Sequence, residues 1–111
     1  MYRIDYFELA VADGEASRAF FGQAFGWTFK SYGPTYTEIT DAGVLGGITS
    51  SADDHGTPLQ IGIRTDDIVA AERAVRDAGG IVTRGPYDFP GGKRFHFREP
   101  GGNEMLVYME A

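Results

Sequence analysis

DGEASRAFFGQAFGWTF, residues Asp13 to Phe29, decides the fold, because a helix start, an apolar stripe, a helix stop and a strand follow one another within it. Asp13 is a good N-cap, and Glu15 together with Glu8 adds negative charge near the positive end of the helix dipole. Ala16, Ala19, Phe20 and Ala24, with Phe21 beside them, recur at helical spacing and predict an amphipathic helix. Gly26 suits the left-handed residue that ends it. Trp27-Thr28-Phe29 then has the aromatic and β-branched character of a strand.

Working outward, Tyr6 to Val11 alternates, with Phe7, Leu9 and Val11 on one face and Tyr6, Glu8 and Ala10 on the other, so a half-buried strand precedes the helix. Trp27–Tyr32, Tyr36–Thr40 and Val44–Thr49 are strands separated by the turn formers Gly33-Pro34 and Asp41-Ala42-Gly43. Ser50 to Thr57, SSADDHGT, has no periodicity and reads as a surface linker. The order then begins again. Leu59–Thr65 is a strand, Asp66 or Asp67 caps a helix with Ile68, Val69, Ala71, Ala74, Val75 and Ala78 as its apolar positions, and Gly79-Gly80 stops it. Ile81–Thr83, Arg94–Arg98 and Glu104–Tyr108 are the remaining strands, turned at Pro90-Gly91-Gly92 and Pro100-Gly101-Gly102-Asn103. Leu9 and Ile63, Asp13 and Asp67, Ala24 and Ala78, and Gly26 and Gly80 are each separated by 54 residues. The halves therefore read as two βαβββ modules, 4–50 and 58–110, of one α+β domain spanning 1–111.

The bulk properties exclude several function classes. A formal net charge of -6 and a pI near 4.7 argue against a nucleic-acid partner or an anionic membrane surface, both of which need a concentrated basic footprint. Without cysteine there is no disulfide, thiol nucleophile or thiolate metal site. No apolar run reaches membrane-spanning length, and Met1–Asp5 does not read as a signal peptide. A soluble, cytoplasmic protein is expected.

Three patches resemble the vicinal oxygen chelate superfamily, which groups glyoxalase I, bleomycin-resistance proteins and extradiol dioxygenases. They are Val11-Ala12-Asp13 through Phe20-Phe21 to Phe25-Gly26-Trp27; Gln60-Ile61-Gly62-Ile63 with Ala78-Gly79-Gly80; and Phe97-Arg98-Glu99-Pro100-Gly101-Gly102-Asn103-Glu104. The resemblance implies that each module curls its strands into a half-open barrel sheet with its helix on the outer face, and that a ligand lies in the cleft between modules. Phe7, Leu9, Val11, Ile61, Ile63, Met105 and Val107 then belong to the helix-packed core. Tyr6, Glu8, Gln60, Gly62, Arg64, Glu104, Leu106 and Tyr108 face the cleft, joined by Arg94 and His96 if Phe95 and Phe97 face the core.

Metal-dependent members place His, Glu or Gln on the inner strands. The matching positions here are Tyr6, Gln60, Gly46 or Gly47, and Leu106, so the usual metal site is expected to be absent and no cofactor is expected. A displaced site would have to draw on His55, His96, Glu8 and Glu104; His55 lies in the polar linker, and a lone strand histidine such as His96 is commonly a hydrogen-bonding wall residue.

The resemblance and the wall residues together imply a metal-independent small-molecule binding protein of the bleomycin-resistance kind. Tyr6 and Tyr108, with Trp27, Tyr32 and Tyr36, would stack on an aromatic ligand, while Glu8, Gln60, Arg64, Arg94, His96 and Glu104 orient its polar groups and Leu106 lines the wall. The alternative is a metal-independent isomerase, lyase or cyclase in which Glu8 or Glu104 is the base, His96 an acid or base, and Tyr6 a donor to a developing oxyanion. An accessory module with an occluded cleft is a third reading. A homodimer is expected, because a chain this short leaves sheet faces exposed.

Overall fold

Two aspartates start the two helices. Asp13 is extended and its side chain accepts from the Ala16 amide at 3.1 Å, ahead of α1 (Gly14–Phe25). Asp67 accepts from the Ala70 amide at 3.0 Å, ahead of α2 (Ile68–Asp77). Each thereby satisfies an amide that the first turn leaves without a partner. Gly26 ends α1 in the left-handed region at φ 72°, its amide bonded to the Gly22 carbonyl. Gly79-Gly80 stops α2 as expected: Gly79 is the left-handed residue, at φ 95°, one position before the equivalent of Gly26 because α2 is the shorter helix. Gly80 is needed for closeness, since a Cβ there would run into the Val75 side chain.

The computed structural model describes residues 1–51 and 58–111. The expected linker lies largely outside the described residues, as does His55. The chain divides into two compact units, Tyr6–Gln60 and Met1–Asp5 with Ile61–Ala111. In the first, β2 (Phe29–Ser31), β3 (Tyr36–Ile39) and β4 (Leu45–Thr49) form an antiparallel meander, and β1 (Arg3–Ala10), from Tyr6 onward, lies parallel to β4. In the second, β6 (Ile81–Phe89), β7 (Gly92–Arg98) and β8 (Glu104–Glu110) form the meander, and β5 (Leu59–Arg64) lies parallel to β8. Both units are thus βαβββ, and the fold is α+β. Among the described residues no helix is long and apolar enough to cross a membrane.

β6 continues well past the expected end at Thr83. Gly85-Pro86 reads as a breaker in sequence, but the strand absorbs it in register shifts between Val82 and Tyr87 and resumes pairing with β7 at Tyr87–Arg94. Irregular pairing is how a strand tolerates Gly and Pro.

The second unit has a well-defined core. Ile68 and Ala71 of α2 are buried with Phe95, Phe97 and Val107, and Ile63, Val75, Val82, Met105 and Met109 pack against them. Phe95 and Phe97 therefore face the helix, and period-2 alternation turns Arg94 and His96 to the other side. Ile61 departs from the expected core set, being 38% exposed.

In the first unit the phase of α1 differs from the expectation. Its half-buried residues are Gly14, Ser17, Arg18, Phe21 and Gly22, a helical face of its own. The Ala16, Ala19, Phe20 and Ala24 stripe is exposed, with Phe20 at 59% and Phe25 at 62%. Phe21 decides this phase by stacking on Trp27, ring centroids 5.1 Å apart. Trp27 also meets Phe7 and Phe25; it belongs to this aromatic cluster. Ile39 and Ile48 are the fully buried aliphatics beneath.

Candidate functional site

The adjacent glycines of β4 explain how the first sheet builds a polar face. A Cβ at Gly46 would strike the Phe7 ring, and a Cβ at Gly47 would strike the hydroxyls of both Tyr6 and Tyr36. Gly46 thus lets an aromatic ring lie close on one side of β4, and Gly47 lets two phenols lie close on the other. Tyr6 donates to Glu8 Oε1 at 2.9 Å, and the Tyr6 and Tyr36 hydroxyls are 2.8 Å apart. With the Tyr6 proton given to the carboxylate, Tyr36 donates to Tyr6, making a chain from Tyr36 through Tyr6 to Glu8. Tyr6 and Glu8 are buried. Burial, reinforced by the Glu8 charge and by Tyr36, pushes ionisation of the Tyr6 phenol far above its ordinary range. Tyr6 therefore serves as a neutral hydrogen-bonding group.

The second unit carries a different set on the face away from α2. Arg94 is 8% exposed and His96 4%. Across β7 and β8, Arg94 pairs with Tyr108, His96 with Leu106 and Arg98 with Glu104. Tyr87 joins the first two: Arg94 Nε donates to its oxygen at 2.6 Å, and its hydroxyl lies 2.6 Å from His96 Nε2. The Tyr87 and His96 rings are nearly parallel, 5.7 Å apart. Arg84 Cζ stands 4.2 Å from the Tyr87 ring centroid, a cation–π contact.

The other expected wall residues are placed as follows. Arg64 donates to Asp5 Oδ2 at 2.6 Å, bonds Glu110 Oε1, and lies over the Tyr108 ring. The Tyr108 hydroxyl donates to Asp5 Oδ1. Burial alone would raise the Asp5 carboxyl, but the bonds from Tyr108 and Arg64 more than offset it and hold the group below its ordinary range. Burial, then the bond to Asp5, pushes the Tyr108 phenol up. Glu104 lies 3.8 Å from Arg98 at the end of the strand pair. Gln60 is buried, and Leu106 is fully buried.

Of the expected set, the structure brings Arg94 and His96 together through Tyr87, Tyr6 and Glu8 together directly, and Arg64 and Tyr108 together through Asp5. Trp27 is not with Tyr6 and sits among the phenylalanines; Tyr32 is exposed beside Lys30, its ring 6.3 Å from that of Tyr36, whose hydroxyl meets Tyr6. The residues missed are Tyr87, Arg84 and Asp5, the last of which joins Arg64 to Tyr108. The alternation of Tyr87-Asp88-Phe89 before a Pro-Gly-Gly turn was the available signal for a strand continuing to Phe89.

The donor chemistry at the resemblance's metal positions does not fit a divalent ion. Tyr6 is a neutral phenol, Gly47 has no side chain, and Leu106 is hydrocarbon, so Gln60 alone offers an ordinary donor. Among the described residues no three His, Cys, Asp or Glu side chains come together.

A sequence model of the Glyoxalase/Bleomycin resistance protein/Dioxygenase superfamily matches residues 3–107. An uncharacterized protein of Mycolicibacterium smegmatis is 27% identical over 90 residues, which span 79% of this chain and 78% of that protein. Among solved structures, a glyoxalase/bleomycin resistance protein/dioxygenase superfamily member from Vibrio splendidus 12B01 superposes with a TM-score of 0.70 at 17% identity, covering 100% of both chains. Methylmalonyl-CoA epimerase from Mycobacterium tuberculosis gives a TM-score of 0.66 at 18% identity, covering 97% of this chain and 87% of that one. At such identities the likeness to the solved structures is one of fold.

Proposed function

We propose that this chain, which belongs to the glyoxalase/bleomycin resistance protein/dioxygenase superfamily, binds a small organic molecule without a metal ion. The observation that carries the reading is the polar face of the second unit, where Arg94 and His96 are almost wholly buried and tied together by Tyr87. Burying a cation and an imidazole on the side of the sheet away from the apolar core adds nothing to hydrophobic packing and costs desolvation. Such groups, held in place by a stacked phenol, suit recognition of a planar or aromatic ligand with polar substituents.

The donor set at Tyr6, Gly47, Gln60 and Leu106 supports the metal-independent reading. The second reading, a metal-independent isomerase, lyase or cyclase, draws its support from the Tyr36–Tyr6–Glu8 chain: a neutral phenol beside a carboxylate is able to donate to a developing oxyanion. We further take the protein to be a cytoplasmic homodimer; the exposed Phe20 and Phe25 support self-association.

The test combines native mass spectrometry and elemental analysis of the purified protein with a thermal-shift screen of aromatic and carbonyl compounds. A dimer without stoichiometric metal, stabilised by a ligand, is expected; at one hundred times its Kd a ligand adds about 2.7 kcal/mol. One divalent ion per chain, whose removal abolishes ligand binding, overturns metal independence. Recovering the ligand unchanged separates binding from catalysis. Consumption that Glu8→Gln, Glu104→Gln or His96→Ala abolishes while binding survives selects the enzyme reading.

A further inference from the structure

We infer that the polar cavity at the start of α1 is a second binding site, for a compact oxyanion such as phosphate or a small carboxylate. The cavity, of about 560 Å³, lies in the first unit between the start of the helix and the strands β2, β3 and β4. It opens on the helix side of the sheet, where Thr37 and Ile48 pair across β3 and β4, whereas Tyr6, Glu8 and Tyr36 lie on the other.

Three kinds of donor converge there. The amides of Gly14 and Glu15 are the first two of the helix and have no acceptor within it, at the positive end of its dipole. Arg18, one turn further on, belongs to the half-buried inward face of α1 and lines the cavity. It makes no ion pair or side-chain hydrogen bond with any described residue. Thr37 is 7% exposed, lines the same cavity, and its hydroxyl likewise has no partner among the described residues. Because no buried side-chain oxygen is sealed away without a partner among the described residues, the Thr37 hydroxyl opens onto the cavity. Amide, guanidinium and hydroxyl donors around one space match the acceptor oxygens of an oxyanion.

Two carboxylates border the site, and they set the sign of the test. Asp13 is committed to the Ala16 amide. Glu15 has no such bond and opposes an anion, so removing its charge should tighten binding. A cationic ligand would show the reverse.

The experiment is titration of the full-length, isotope-labelled chain with inorganic phosphate, and separately with acetate, at constant ionic strength, followed by amide NMR. Saturable shifts of the Gly14, Glu15 and Thr37 amides are expected, with none at Ile68 and Val69, which start α2 behind an equivalent Asp67 cap. Arg18→Ala should weaken phosphate binding about tenfold, Thr37→Val several-fold, and Glu15→Gln should strengthen it. Tighter phosphate than acetate assigns a phosphate group; the converse assigns a carboxylate. Linear shifts without saturation, equal shifts at both helix starts, or phosphate affinity unchanged in Arg18→Ala would overturn the proposal. Thr37→Val, nearly isosteric, provides an independent check should Arg18→Ala disturb the helix.

Discussion

Gly47→Ala should be the most destabilising single-methyl change in the first unit. The added methyl would fall against the hydroxyl oxygens of Tyr6 and Tyr36 and the edge of the Tyr36 ring, and β4 is held on both sides, by β1 and β3. Relief therefore requires the phenols to swing away, breaking the 2.8 Å Tyr36–Tyr6 bond and the 2.9 Å Tyr6–Glu8 bond. Overpacking costs about 1–3 kcal/mol, and loss of a hydrogen bond to a charged acceptor about 1.5–3 kcal/mol. The sum, near 4 kcal/mol, is a large part of the stability of a domain this size. With a urea m-value of about 1.5 kcal/mol/M the unfolding midpoint should fall by roughly 2.5 M. A double-mutant cycle with Tyr36→Phe identifies the cause, because removing one obstructing hydroxyl should recover about 1 kcal/mol of the Gly47→Ala penalty. A Gly47→Ala chain within about 0.5 kcal/mol of wild type, or strict additivity with Tyr36→Phe, would refute the account of β4.

Three further outcomes follow from local features. Gly22 lies in the interior of α1, and a Cβ there meets only ordinary contacts with Phe29 and the Trp27 carbonyl, so Gly22→Ala should raise stability by about 0.5–1 kcal/mol in urea melts. The Asp5 carboxyl, held below its ordinary value of 3.8, contributes stability that is fully present above that value and is lost as the pH falls through its lower folded value; Asp5→Asn should flatten this acid limb in a series of thermal melts. An apolar cavity of about 320 Å³ lies against α2, lined by Ala71, Ala74, Ile63, Phe97 and Val107; Ala74→Leu should fill part of it and raise stability by about 0.5–2 kcal/mol, read as a higher Tm.

Features that depend on near neighbours were legible in the sequence. Asp13 identified the first helix start and the pair Asp66-Asp67 the second, without saying which of the two caps it, and alternation placed Arg94 and His96 opposite Phe95 and Phe97. What depended on distant partners was not. Alanine gives a helix stripe little directional force, and with Phe20 and Phe21 adjacent, only the position of Trp27 decides which ring turns inward. Arg64 reads as a free wall cation until Asp5 and Glu110, 59 and 46 residues away in sequence, are seen to bind it. Tyr87 depends on β6 continuing through Gly85-Pro86, where local signals favour a stop. Within the resemblance, the polar faces were legible as faces, but not which of their members bond to one another.

The two units keep one scaffold and differ in the chemistry it carries. Glu8 faces Gly47 across β1 and β4, and Gly62 faces Leu106 across β5 and β8, so Gly47 and Leu106 are equivalent, as are Tyr36 and Arg94, Thr49 and Tyr108, and Glu38 and His96. On the helix side Ile48 matches Val107, Ile39 matches Phe97 and Leu9 matches Ile63, whereas Thr37 matches Phe95 and Gly46 matches Met105. Packing against a helix restrains most of those positions to apolar side chains, whereas the opposite face is acidic and phenolic in one unit and cationic in the other. Divergence concentrated on the face away from the helix is a pattern that ligand recognition produces. It also bears on the metal question, because the volume that a ligating side chain at position 47 would need is already filled by the Tyr6 and Tyr36 hydroxyls. A carboxylate placed at Gly47 would have to displace both phenols before it reached an ion, so metal binding at that position is opposed by packing as well as by the residue type.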